Sequence, residues 1–312
     1  MTKTPIAYII FNRPSITKQS FAVLKEQKPL ELFIIADGPR SEHPNDKKNC
    51  AEVRKIVEQI DWPCKVHRDY AETNLGLKKR VSSGLNWVFD NVEKAIVLED
   101  DCIAHPDFFH FCDILLEYYA DNNKISVITG NNFQKGQWRG DASYYFSKYN
   151  HCWGWATWRR AWKHYQGDIP FWPEWINKKS WFNLFPDKIE RHYWEMVFKR
   201  VHEGKIDTWD YSWTASTWYK GGLTATPNVN LVSNIGFGDG ATHTKSKNSK
   251  LSNIPTMKLG HITHPKQVII DKVADRFAFD NVFGGKYQRF PFNWLIFPYR
   301  VFNYIFRKII TR

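Results

Sequence analysis

The sequence predicts an α/β fold, a mixed but mostly parallel sheet flanked by helices. Three observations carry this. Short apolar runs recur at residues 5–11 (PIAYIIF), 30–36 (LELFIIA), 95–98 (AIVL) and 125–129 (ISVIT), each the length of a buried strand rather than a helix. Each run stops at a polar or glycine-containing turn (NRP, DGPR, EDD, GNN). Stretches with helical spacing lie between them, and strand–helix alternation puts the carboxyl ends of parallel strands on one side, where α/β proteins bind ligands.

In chain order, the first strand breaks at Asn12, Arg13 and Pro14, and residues 18–27 have helical spacing at Phe21, Val23 and Leu24. The second strand ends in Asp37, Gly38, Pro39 and Arg40, a turn with an acid at its lip. A helix is expected over residues 50–60 and a third strand over 64–68. Asn74 and Gly76 open another helix whose first turns carry Lys78, Lys79 and Arg80. Those cations and the helix start either receive a phosphate or form a solvated basic face. The fourth strand runs straight into Glu99, Asp100 and Asp101. His105 and Pro106 then start an amphipathic helix with Phe108, Phe109, Cys112, Leu115 and Leu116 on its apolar side.

Three adjacent carboxylates at the end of a core strand repel one another. Either the turn is solvated, or a cation compensates, and a hard divalent ion suits an all-oxygen acid cluster.

Beyond residue 135 the character changes. Trp153, Gly154 and Trp155 place a glycine between two indoles, which permits close approach of a flat ligand or simply marks a loop packed by its own aromatics. Asp210 stands in an aromatic setting before a helical stretch, as a cap or as a functional acid. Residues 234–244 are glycine-rich and contain His243, a pattern that suits a loop closing over a site or an ordinary surface loop. The last segment, residues 292–312, alternates large apolar groups with Arg300, Arg307, Lys308 and Arg312, as an interfacial helix on an anionic membrane surface does, or a helix docked on the domain.

Composition sets bounds. The 312 residues are 43% hydrophobic, enough for a sizeable core. The net charge of +12 favours anionic partners such as nucleotide phosphates or membrane surfaces, whereas no zinc-finger spacing or RRM-like motif points to nucleic acid. Fifteen tryptophans exceed what packing requires and fit a sugar or nucleotide site; an aromatic-rich core is the plainer account. Five cysteines without CxxC spacing read as reduced thiols in the cytoplasm, and the short apolar run at the start predicts neither a secretion signal nor a membrane span.

Several motifs, taken in order, resemble one family. VLEDDCIAHPDFF at residues 97–109, with IIFNRP, IIADGP, NLGLKKRVSSGLNW and WGWATW, is similar to GT-A-type nucleotide-sugar glycosyltransferases, and most closely to bacterial relatives of the N-acetylglucosaminyltransferase that initiates complex N-glycan branching. The resemblance spans about residues 5–245 and leaves the tail after about 260 uncovered. It implies a GT-A (Rossmann-like) domain over residues 1–250, with a nucleotide-sugar-binding half (1–135) and an acceptor-binding half (136–250), followed by a C-terminal extension. It implies a donor, a UDP-sugar by expectation, bound at the sheet edge by Arg13, Asp37, Asn74, Lys78, Glu99 and Asp100. Asp101 and His243 would hold a manganese or magnesium ion, Asp210 would be the catalytic base, and Trp153, Gly154 and Trp155 would bind the acceptor. The expected activity is metal-dependent, inverting sugar transfer to a surface-glycan, lipopolysaccharide or lipid-linked saccharide acceptor, in the cytoplasm on the inner face of the inner membrane. The alternative is a non-catalytic member of the fold that binds nucleotide-sugar or glycan as an assembly partner. A nucleotidyltransferase would carry a glycine-rich phosphate loop after the first strand, and FNRPS is not one.

Overall fold

A computed structural model describes residues 2–238 and 249–295. Its central sheet has eight strands: β1 (Ile6–Ile10), β2 (Glu31–Ala36), β3 (Lys65–Tyr70), β4 (Lys94–Glu99), β6 (Ile125–Thr129), β7 (Tyr144–Ser147), β8 (Trp155–Trp158) and β9 (Leu223–Pro227). They lie in the order β3-β2-β1-β4-β8-β6-β9-β7, while β5 (Cys102–Ala104) and β10 (Val232–Asn234) form a separate antiparallel pair. β1 pairs in parallel with β2 and β4, β2 with β3, and β6 with β9. Only β8 and β7 run against their neighbours. The mixed, mostly parallel α/β architecture expected from the sequence is the one observed.

Alternation along β1 explains the layering. Ile6, Tyr8 and Ile10 face one side with Phe21 and Leu24 of α1 (Pro14–Gln27), Val53 of α2 (Asp46–Val57), and Phe108, Cys112 and Leu115 of α4 (Pro106–Tyr118). Ala7 and Ile9 face the other, against Val81, Leu85 and Val88 of α3 (Leu77–Asn91). Both faces are buried, so the strands read as continuous apolar runs. Pro14 and Pro106 occupy first helical turns, where a missing N–H costs nothing, and His105 caps α4 by accepting from Asp107 N through Nδ1 (3.1 Å).

A third core is mostly aromatic. Trp172, Trp175, Trp181, Trp194, Trp218, Phe185 and Phe198 pack among short helices, the helix Lys188–His202 and the helix Asp210–Tyr219. Much of the tryptophan surplus is therefore core packing. The helix Lys272–Val282, beyond the region of family resemblance, joins this core through Ala278 and Phe279. Its buried Asp275 accepts from Ser147 Oγ (2.5 Å) and Lys148 N (3.3 Å).

Two strand expectations need correction. Trp155, expected with Trp153 and Gly154 in an acceptor loop, instead opens β8 (WATW), which sits between β4 and β6 in mid-sheet. Residues 144–147, not identified as a strand from sequence, form the edge strand β7. Among the described residues no helix is long and apolar enough to cross a membrane. Residues 296–312 of the basic aromatic tail lie outside the described residues.

Candidate active site

The carboxyl ends of β1, β2, β4 and β6 open on one cavity of about 680 Å³. Its acidic floor comes from β4. Register pairs Glu99 with Ile9, and Asp100 N continues the ladder by donating to Ile9 O (2.9 Å). The next turn sets Asp100 and Asp101 beside Arg13, which follows β1. Arg13 Nη2 donates to Asp100 Oδ1 and to Asp101 Oδ2 (3.0 Å). Asp100, 2% exposed, is also in reach of Phe11 N and Thr17 Oγ1 (both 3.4 Å). Asp101 accepts from Asn234 Nδ2 (3.2 Å), and its backbone oxygen accepts from Ile235 N (2.9 Å).

One guanidinium cannot balance these acids. Burial, then the charges of Asp101 and Asp100, push the Glu99 carboxyl up to about 8, with Asp210 adding to the rise. Burial also raises Asp100 against the pull of Arg13. Burial alone would lower Arg13, but Asp100 and Asp101 lift it above its usual range, so it stays charged. Three carboxyl groups beside one guanidinium are an all-oxygen donor set that a divalent ion would fit. As the side chains stand, no three His, Cys, Asp or Glu groups among the described residues converge as a ready-made metal cage. His243, the other expected ligand, lies outside the described residues.

Asp37, at the end of β2, lines the cavity and builds the loop beside it. Its Oδ1 accepts from Gly38 N (2.8 Å) and Leu75 N (2.9 Å), and its Oδ2 from Asn74 Nδ2 (2.9 Å) and Gly76 N (3.2 Å). Both oxygens are spent on pinning residues 74–76, the loop that delivers the start of α3 to the cavity. Gly38 is needed there because a Cβ would come within 2.4–2.6 Å of the Thr73 backbone. Asn74 lines the cavity but donates to Asp37 and to Gly38 O (3.0 Å), so it too helps to build the loop.

Asp210 opens its helix on the far wall. One carboxylate oxygen accepts from Thr208 Oγ1 and from Tyr211 N (2.8 Å), and the other has no hydrogen-bond partner among the described residues. Trp153 lines the cavity, edge-on to Phe133 and Phe237 at 5.6 and 5.5 Å.

Three expected residues stand elsewhere. Lys78 is bound to Asp168 Oδ1 (2.7 Å) away from the cavity lining. Gly154 has φ +68 and packs against Val232, where a Cβ would meet side-chain carbons at 2.6 Å. Trp155 is 1% exposed, among Trp162, Trp209 and Trp213.

Other lining residues escaped sequence reasoning. Arg40 lies over the Phe11 ring at 5.3 Å and is gripped by Asp46 through Nε (2.6 Å) and Nη2 (3.1 Å). Arg80 was read with Lys78 and Lys79 as one basic cluster, yet of the three only it lines the cavity, 5% exposed and paired with Asp69. Gly236 packs so close to the acidic floor that a Cβ would fall 2.1 Å from Asp101 Oδ2. The glycine-rich run signalled that something unusual happens there, but suggested mobility rather than contact.

No family model matches the chain, and no curated protein does. Among solved structures, the chain is similar to a mannosyltransferase from Pyrobaculum calidifontis in complex with GDP-Man and Mn2+ (9% identity, TM-score 0.36, 70% of each chain). It is also similar to a UDP-glucose pyrophosphorylase complexed with UDP-glucose (11% identity, TM-score 0.36, 72% of this chain and 90% of that one). A third similar structure is the 4-diphosphocytidyl-2C-methyl-D-erythritol synthase of Anaerococcus prevotii (9% identity, TM-score 0.32, 60% and 86%). Likenesses this remote leave the chemistry to the chain's own residues.

Proposed function

We propose that this chain is a nucleotide-sugar-dependent glycosyltransferase of GT-A type, metal-dependent and inverting, with a UDP-sugar as its donor. The observation that carries the reading is the convergence on one cavity of an acid cluster with excess negative charge, the start of α3 held open by Asp37, and a half-free carboxylate at Asp210.

The diphosphate would lie between the acidic floor and the start of α3, where a helix N-terminus favours anions. Arg13, Arg40 and Arg80 are the cations nearest this place. A divalent ion, manganese or magnesium, held by Asp101 and Asp100 would neutralise charge on the diphosphate as it leaves. Asp210 takes the proton of the acceptor hydroxyl through its uncommitted oxygen. The acceptor oxygen then bonds to the anomeric carbon, the bond from that carbon to the phosphate oxygen breaks, and its electron pair leaves on the diphosphate. Attack from the face opposite the leaving group inverts the configuration. A saccharide acceptor of surface-glycan or lipopolysaccharide assembly, reached at the cytoplasmic face of the membrane, is consistent with the net charge of +12 and the basic aromatic tail.

The test is calorimetric titration with UDP and Mn2+, followed by UDP-release assays on UDP-sugars. Asp101→Ala should weaken UDP–Mn2+ binding at least tenfold. Asp210→Asn should leave binding within twofold and cut turnover at least 100-fold. Tight UDP binding without turnover, unchanged in Asp210→Asn, would select the non-catalytic alternative instead.

A further inference from the structure

The cavity has an aromatic part, lined by Phe133, Tyr149, His151 and Phe283, where residues 149–153 meet the C-terminal segment. The His151 ring lies 4.6 Å from Phe133, edge-on, and nearly parallel to Tyr149 (6.0 Å, 19°) and Phe283 (6.4 Å, 11°). Phe283 follows the helix Lys272–Val282, more than 120 residues further along the chain. His151 is held at φ +24, a backbone state that L residues seldom adopt. Thr129 Oγ1 fixes it there by donating to its backbone oxygen (2.9 Å). Such conformations persist where the surroundings hold them, and they gather at binding sites.

Most polar groups around this part are spent. The Tyr149 hydroxyl donates to Glu190 and accepts from Trp194 Nε1 (3.4 Å), and Glu190 is neutralised by Lys148 at 2.9 Å. Two residues are not fully spent. His151 has no hydrogen-bond partner for either ring nitrogen among the described residues. Burial pulls its pKa down to about 3, so the imidazole is neutral, one nitrogen a donor and the other an acceptor. Asn150 is 8% exposed; Thr214 Oγ1 holds one end of its amide at 2.8 Å, and the other has no hydrogen-bond partner among the described residues. The same Thr214 oxygen bonds the backbone oxygen of Asp210 (2.9 Å), which ties this part of the cavity to the proposed base.

We propose that this aromatic part is a subsite for a neutral pyranoside, with Asn150 and His151 hydrogen-bonding its hydroxyls and Phe133, Tyr149 and Phe283 covering its C–H faces. The subsite gives the acceptor a chemical class, and for that role it rests on the glycosyltransferase reading. A lipid chain or purely apolar ligand would leave the Asn150 amide and the imidazole unpaired, which is unfavourable for buried polar groups. A uronic acid would bring a carboxylate to an amide and a neutral imidazole, while Lys148 nearby is already paired with Glu190 (2.9 Å). A pyranose offers apolar faces and hydroxyl edges together, and matches both features.

The experiment is saturation-transfer NMR on the full chain, without added metal. The probes are methyl β-D-glucopyranoside, methyl β-D-galactopyranoside, methyl N-acetyl-β-D-glucosaminide and, as charged control, methyl β-D-glucuronide. At least one neutral glycoside should bind, and the glucuronide should not. Phe283→Leu and His151→Asn, the latter tolerant of positive φ, should each weaken that binding at least fivefold. Both should keep the UDP–Mn2+ affinity within twofold and the melting temperature within about 3 °C. His151→Ala is a second removal of the ring. No binding of any neutral glycoside, binding unchanged in all three variants, or preference for the glucuronide would overturn the proposal. Failure of UDP to bind while glycosides bind through His151 would sink the nucleotide-sugar reading and leave this subsite standing.

Discussion

Trp155 separates two accounts of the WGWATW motif. If it touches an acceptor, as the family resemblance implies, removing it should weaken ligand binding and spare stability. The structure puts it in the core, 1% exposed, stacked on Trp209 at 5.6 Å and packed on Trp213 and Trp162 at 5.8 and 6.1 Å. Trp155→Ala should therefore cost about 3–5 kcal/mol in lost transfer energy and cavity formation. Unfolding entropy for 312 residues is roughly 0.65 kcal/mol per kelvin, so a cooperative transition should fall by about 6 °C. Trp155→Phe is the sharper probe. The indole Nε1 is buried with no hydrogen-bond partner among the described residues, and removing it recovers about 1–2 kcal/mol that offsets the smaller ring. That variant should melt within about 2 °C of the parent and keep UDP affinity within twofold. Calorimetry and scanning fluorimetry give both numbers. A Trp155→Phe protein with unchanged melting temperature but at least tenfold weaker glycoside binding would refute the assignment to the core.

Gly236→Ala should force Asp101 out of its place between Arg13 and Asn234, since the new methyl would lie 2.1 Å from its carboxylate. UDP–Mn2+ affinity should drop at least tenfold, and an unchanged dissociation constant would show that the acidic floor is not where the nucleotide is held. Asp46 predicts an acid limb of stability. Its hydrogen bonds with Arg40 outweigh burial and, with that from Asn12, bring its pKa from 3.8 down to about 2. A depressed carboxyl contributes above its unfolded value near pH 4 and loses that contribution as the pH falls through about 2, here about 2 kcal/mol. In urea titrations the gap between parent and Asp46→Asn should be full at pH 6 and shrink below pH 4; a gap independent of pH would contradict this.

β1, β2 and β4 were legible because they are buried on both faces and end at polar turns, so each apolar run and its stop mark one element. The acidic floor was legible for the same reason: a strand that ends in three carboxylates announces the sheet edge. Roles were harder to read than places. Asp37 is an acid at a strand end, but only the position of residues 74–76 reveals that both its oxygens are already taken. Lys78 and Arg80 look alike in sequence, and a partner 90 residues away decides that Lys78 is spent outside the cavity. β8 was missed because an apolar stretch rich in tryptophan and glycine has the composition of a binding loop as well as of a strand. Phe283 was invisible because no motif connects the C-terminal segment to the region it covers.

The strand order has a consequence for synthesis. β8, residues 155–158, sits between β4 and β6, and Asp101 is braced by Asn234, 133 positions downstream. When the first 135 residues have left the ribosome they contain five strands of the main sheet, yet the edges of β4 and β6 that β8 will join stay open. The part of the chain that carries the acidic floor is first in sequence but cannot be finished first. Its acids acquire their final neighbours only after the aromatic region has been made and β8 has been threaded between β4 and β6, so the two walls of the cavity mature as a single cooperative unit.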